Sequence, residues 1–131
     1  MSCSPLGKGF ITGQIKKAAG IPEGDGRKGL TRFRDQEALK HNFAIVDSHT
    51  EIAKRVGATL AQLALALGRP PRTECYPLPG SSKASRALEN LEAGDIKLSD
   101  KDFAETTRII DEFEVKGDRY YGDDKAAHLW G

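Results

Sequence analysis

Apolar residues in this chain fall into blocks with helical spacing, separated by stretches that have none. After Asp35, the residues Leu39, Phe43, Val46, Ala53 and Val56 recur at the repeat of one helix face. Gly57 stands where a left-handed residue would close that helix. Thr59 and Gln62 have capping-box spacing and predict a second helix directly after the first. Its apolar face is Leu60, Leu63, Ala64 and Leu67, and Gly68 with Pro70-Pro71 ends it. Residues 84–92 predict a third helix with Leu88 and Leu91 turned inward. Ile96 and Leu98 read as isolated contacts in a linker. Ser99 with Asp102 is a second capping signature, opening a helix to about Val115 with Phe103, Thr106, Ile110 and Phe113 buried. Lys116-Gly117 terminates it.

Strand signals are scarce. Residues 1–11 are apolar around a tight turn, as the tail of a strand running into a loop would be. Thr73-Glu74-Cys75-Tyr76 predicts a short strand leading to Pro77. Between the first turn and the first helix, residues 12–34 mix glycines with charges, the composition of a flexible surface loop or lid. Residues 118–131 form a polar tail apart from Tyr120, Tyr121, Leu129 and Trp130. There is no internal repeat. Two strand remnants and four helices are too few strands for a self-sufficient α/β domain. The expectation is one incomplete α/β unit over residues 1–131, poorly stable alone.

Charge changes this picture little. Twenty basic and nineteen acidic residues give a net +1, without the basic face a nucleic-acid binder needs, so no nucleic-acid partner is expected. No run approaches the roughly 18 apolar residues of a membrane span, and no signal-peptide pattern opens the chain. The expected location is the cytoplasm. Cys3 and Cys75 lie far apart with no Cys-x-x-Cys, which suggests neither zinc nor a disulfide framework.

The candidate chemistry lies in two turns. Pro77-Leu78-Pro79-Gly80-Ser81-Ser82-Lys83 reads as a strand end, a glycine-serine turn and a helix start. Gly80 permits positive φ and close approach of a bound group. Ser81 and Ser82 add hydroxyls where the positive end of a helix attracts anions. Lys83 and Arg86 add cations, and Glu89-Asn90 follow one helical turn later. Ser4-Pro5-Leu6-Gly7-Lys8-Gly9 repeats the chemistry: a hydroxyl, two glycines and a cation. Both turns together suit one phosphorylated cofactor. Neither is a named phosphate fingerprint, and most glycine-serine turns bind nothing. His41 and His49, eight apart, suit no metal site and read as solvated helix residues; His128 reads as a surface residue in the tail.

These features, in this order, resemble the C-terminal part of the aldo-keto reductases, nearest their pyridoxal-reductase and yakC-like branch. The matching segments are Ser4-Pro5-Leu6-Gly7-Lys8-Gly9-Phe10, Arg32-Phe33 and Gly57-Ala58-Thr59-Leu60-Ala61-Gln62-Leu63-Ala64-Leu65-Ala66. They continue with Pro77-Leu78-Pro79-Gly80-Ser81-Ser82-Lys83, Leu88-Glu89-Asn90-Leu91, Leu98-Ser99 and Gly117-Asp118-Arg119-Tyr120. The family folds as a (β/α)8 TIM barrel and transfers hydride between NADP(H) and a carbonyl or alcohol. Such a barrel needs about 250 residues, so the chain would supply only its final third to half.

The resemblance implies pyrophosphate contacts from Ser4, Leu6, Gly7 and Lys8, in the loop after the seventh strand. It implies that Gly80, Ser81, Ser82, Lys83 and Arg86, after the eighth strand, hold the adenosine 2′-phosphate. Glu89 and Asn90 would face the adenine. The family's catalytic Asp, Tyr, Lys and His all come from the N-terminal half, and no position here matches their motifs. Residues 65–75 also depart from the family's usual tryptophan and apolar eighth strand. The chain is therefore expected to be the cofactor-binding portion of an NADP-dependent oxidoreductase acting on a small carbonyl substrate, inactive alone. The alternatives are a catalytically silent, reductase-like regulatory subunit and a small helical adaptor.

Overall fold

The computed structural model describes residues 2–68 and 76–118. The chain divides into two compact units, Met1–Gln14 with Ile45–Phe113, and Ile15–Ala44 with Glu114–Gly131. The elements are β1 (Ser2–Cys3), α1 (Thr31–Arg34), α2 (Gln36–Arg55), α3 (Leu60–Leu67), β2 (Pro77–Leu78), α4 (Ala84–Glu92) and α5 (Asp100–Glu112), with short 3-10 turns between them. The two strands pair in parallel, Ser2 opposite Pro77 and Cys3 opposite Leu78. The predicted strand at residues 73–76 falls mostly outside the described residues; Tyr76 is exposed coil just before β2. Described residues show no barrel, so the whole-barrel architecture rests on the resemblance alone.

In the first unit the helix ends follow local chemistry. Gly57 takes φ +68, the Ala58 amide donates to the Ala53 carbonyl at 2.9 Å, and the Gly57 amide donates to the Lys54 carbonyl at 3.2 Å. That is the Schellman closure of α2. Thr59 then opens α3 with a complete capping box: its hydroxyl accepts from the Gln62 amide at 3.1 Å, and Gln62 Oε1 accepts from the Thr59 amide at 3.0 Å. Ile52, Ala53 and Leu63 make the core between these helices, with Val56, Leu60, Leu67, Leu98 and Ile109 packed around it. Leu98 is thus a core contact.

The buried stripe of α5 differs by one position from the expected one. Thr106 is fully buried, but Ile109 reaches the core while Ile110 is 46% exposed. Adjacent helix residues lie about 100° apart, so the partner surface selects which of the two isoleucines turns inward. The helix ends at Glu112, before Val115, because Phe113 already has extended φ/ψ. The larger correction concerns α4. Leu88 and Leu91, expected inside, are 61% and 75% exposed. The helix instead turns Glu89 and Glu92 toward hydrogen-bond donors on α3, and no described element covers its leucine face.

Arg55, near the end of α2, donates to Asp102 Oδ1 at 2.6 Å and to Glu105 Oε2 at 2.7 Å. Ser99 Oγ donates to Asp102 Oδ2 at 2.5 Å while accepting from the Asp102 amide at 3.1 Å. The Ser99 hydroxyl first, and Arg55 second, hold the Asp102 carboxyl below its usual range.

The second unit holds most of the glycine-rich stretch read as a loop over residues 12–34. It buries Ile15, Ile21, Leu30 and Phe33, so the apolar residues scattered among its charges form an inner surface. Asp25 caps the turn Gly26–Gly29, accepting from the Arg27 amide at 2.9 Å, and Arg27 grips both its carboxylate oxygens. Those bonds from Arg27 lower the Asp25 pKa from 3.8 to about 2. Depressed carboxylates favour the folded chain above their unfolded pKa and lose that contribution as pH falls through the folded value. The expected result is acid destabilisation between pH 3.8 and about 2 that Asp25→Asn makes shallower, checked by chemical denaturation across that range.

Asn42 is buried at 1% exposure and clamps residue 116 through its side-chain amide. Its Nδ2 donates to the Lys116 carbonyl at 2.7 Å, and its Oδ1 accepts from the Lys116 amide at 2.8 Å. His41 Nε2 meets the Glu114 carbonyl at 2.8 Å, and the Thr31 hydroxyl accepts from the Asp118 amide at 2.7 Å. Residues 114–118 are thereby strapped to α1 and the first half of α2. His49, also expected in solvent, is buried in the first unit and bonds the Ile45 carbonyl at 2.6 Å. His128, Tyr120 and Tyr121 lie outside the described residues.

Candidate functional site

The parallel pairing decides where the two turns go. Both chains leave their strands in the same direction, so residues 4–9 and residues 79–83 emerge at the same end of the β1–β2 pair. Connections at the C-terminal ends of parallel strands are where α/β proteins build ligand sites.

The first turn carries unusual backbone. Ser4, Gly7, Lys8 and Gly9 all have positive φ, at 53°, 56°, 57° and 86°. Two of these are not glycine, and left-handed conformations there cost about 1–2 kcal/mol each. The turn is held by its own hydrogen bonds: the Gly7 amide to the Ser4 carbonyl and the Gly9 amide to the Leu6 carbonyl, both 2.9 Å. Ser4, Leu6, Gly7 and Lys8 are all half-buried.

The second turn is open. Gly80, which could take positive φ, does not, whereas Ser4, Gly7, Lys8 and Gly9 in the first turn do. A Cβ at Gly80 would meet nothing within 4 Å, so the space in front of this backbone is free. Ser81 folds locally, its hydroxyl accepting from the Lys83 amide at 3.2 Å and donating to the Lys83 carbonyl at 2.9 Å. Lys83 is the N-cap of α4 and makes no side-chain capping bond, in contrast to Thr59 on α3 and Ser99 on α5. Gly80, Ser81, Ser82, Lys83 and Arg86 are all exposed. Arg86 Nη2 reaches to within 3.4 Å of Gln14 Oε1, linking α4 back to the N-terminal segment.

Glu89 and Asn90 are half-buried and stand apart from this cationic end. The Glu89 carboxylate accepts from the Thr59 hydroxyl at 2.8 Å, and its carbonyl accepts from Gln62 Nε2 at 3.2 Å. Thr59 and Gln62 were legible as a capping box, but nothing in that spacing reveals their second partners on α4. An anionic phosphate fits the arrangement at residues 80–86: exposed cations, an N-terminus without a side-chain cap, and open space at Gly80. Among the described residues no group of three or more His, Cys, Asp or Glu side chains is placed to hold a metal ion. No described helix is long and apolar enough to cross a membrane.

The model of the aldo/keto reductase family matches residues 1–111. A Saccharomyces cerevisiae protein named "Putative pyridoxal reductase" is 40% identical over 129 residues, covering 89% of this chain and 37% of its own length. A Schizosaccharomyces pombe protein named as the NADP(+) aldo-keto reductase yakc is 35% identical over 117 residues, covering 89% of this chain and 34% of its own. The chain thus spans little more than a third of the length of these relatives.

Proposed function

We propose, from the premise that the chain belongs to the aldo/keto reductase family, that it is the NADP-binding portion of an oxidoreductase. Its two turns would hold one dinucleotide phosphate. The relative named for NADP(+) supports the choice of cofactor. The observation that carries the reading is the parallel pairing of Ser2 with Pro77 and Cys3 with Leu78, which brings both turns out at one end. Ser4, Leu6, Gly7 and Lys8 would lie along the pyrophosphate. Gly80, Ser81, Ser82, Lys83 and Arg86 would receive the 2′-phosphate, Lys83 and Arg86 as counter-charges and the α4 amides as donors. Glu89 and Asn90 would border the adenine. When bound, NADPH would supply hydride to a small aldehyde or ketone, and in the reverse direction NADP+ would accept it from an alcohol; a pyridoxal-like substrate fits the name of the first relative. The proposed setting is the cytoplasm.

Among the described residues no side chain is placed as a proton donor for the developing alkoxide, help worth roughly 10²–10⁴ in rate. Tyr76, the nearest candidate, is exposed coil before β2. Residues 1–131 are therefore expected to bind NADPH in preference to NADH, by fluorescence titration, without reducing aromatic aldehydes or pyridoxal. Equal affinity for the two nucleotides contradicts the cofactor assignment. Turnover above the blank, abolished by Tyr76→Phe, places the active site within this chain.

A further inference from the structure

We propose that Gln62 is a positioning residue for α4, coupling the capping box of α3 to the helix that carries Lys83 and Arg86. Gln62 is 8% exposed and its amide is fully engaged. Oε1 accepts from the Thr59 amide at 3.0 Å, and the two Nε2 protons go to the Glu89 carbonyl and to Glu92 Oε2, each at 3.2 Å. Thr59 makes a parallel link, its hydroxyl taking the Gln62 amide proton while donating to Glu89 Oε1 at 2.8 Å. Helix α4 is otherwise tied by Arg86 to Gln14 and by the buried Ala93 just past its end, while Leu88 and Leu91 face solvent and residues 84–88 are exposed. A helix held on its polar side takes its rotation and axial position from those bonds. Because Lys83 and Arg86 lie one to two turns before Glu89, shifting these bonds moves both cations.

Glutamine is also the residue the dual role requires. A capping box works equally with glutamate at this position, because only an acceptor toward the N-cap amide is needed. Glutamate has no proton for the Glu89 carbonyl and would set a second negative charge against Glu92. Gln62→Glu therefore separates the cap of α3 from the hold on α4 with almost no change in shape.

The test is amide hydrogen exchange and isothermal titration with adenosine 2′,5′-bisphosphate on residues 1–131. For Gln62→Glu, exchange across residues 87–92 is expected to rise about tenfold with the loss of two hydrogen bonds, while α3 keeps its protection. Affinity for the bisphosphate, a consequence that rests on the NADP reading, should fall by a similar factor. The double variant Gln62→Glu, Glu92→Gln returns the bond between residues 62 and 92 but not the one to the Glu89 carbonyl, and should restore part of both. Unchanged exchange in α4, or a double variant as loose as the single one, overturns the proposal. Bisphosphate binding that Gln62→Glu leaves unaltered overturns it alone, whereas no binding by the unsubstituted chain sinks the nucleotide reading and the affinity consequence with it.

Discussion

Replacing Lys83 and Arg86 together with alanine is expected to weaken NADPH by about 10²-fold and to leave NADH nearly unchanged. Charge-assisted hydrogen bonds contribute about 1.5–3 kcal/mol each. Both side chains are exposed, so solvent screening places them at the lower end, about 3 kcal/mol together. The 2′-phosphate is the only group NADPH adds to NADH. A loss confined to NADPH therefore locates that phosphate at the start of α4. Equal losses for both nucleotides, read by fluorescence titration, would mean that the two cations serve the general stability of the turn.

A comparable effect is expected at Gly117, in the second unit. A Cβ there would lie 2.6 Å from both N and Cα of Arg32, and the backbone has φ +85. The left-handed conformation costs about 1–2 kcal/mol for a non-glycine residue, and forced displacement of packed backbone about 1–3 more. Gly117→Ala should raise amide exchange at Lys116 and Asp118 about 10²-fold, since their protons are held by Asn42 and Thr31. Gly24→Ala is the matched control. It has φ +78 in open space, so it carries the conformational cost without the collision. Similar effects at the two glycines would show that Arg32 and residue 117 are not in close backbone contact.

What the sequence revealed depended on how local the cause was. Thr59, Gln62, Ser99 and Gly57 act within a few residues, and each terminates or opens its helix as its chemistry dictates. Burial depends on partners, and there the reading failed in particular places. The leucine face of α4 is written in the spacing of Leu88 and Leu91, but periodicity reports an apolar face without saying what covers it. Ile109 and Ile110 are equivalent by composition, and only the surface of Ile52, Ala53 and Leu63 chooses between them. Asn42 gave no signal, because a buried amide that mimics a strand partner for residue 116 has no spacing rule. Residues 12–34 read as a stretch that cannot bury itself, yet Ile15, Ile21, Leu30 and Phe33 within it are buried.

The two turns were legible as chemistry before their arrangement was known. That they share one end was expected only through the resemblance, because a two-residue parallel ladder has no pattern long enough to read. Glycine permits positive φ without requiring it. Gly80 instead offers open space, while Ser4 and Lys8 take left-handed backbone without being glycine.

The most direct test of a single phosphate-binding site shared by both turns is a nitrogen–proton correlation spectrum of residues 1–131 titrated with adenosine 2′,5′-bisphosphate. The expected result is saturable shifts at the amides of Leu6, Gly7 and Lys8 and of Ser81, Ser82, Lys83 and Arg86, all following one binding curve. Shifts confined to one turn, two curves of different midpoint, or no saturable shift at either would contradict it.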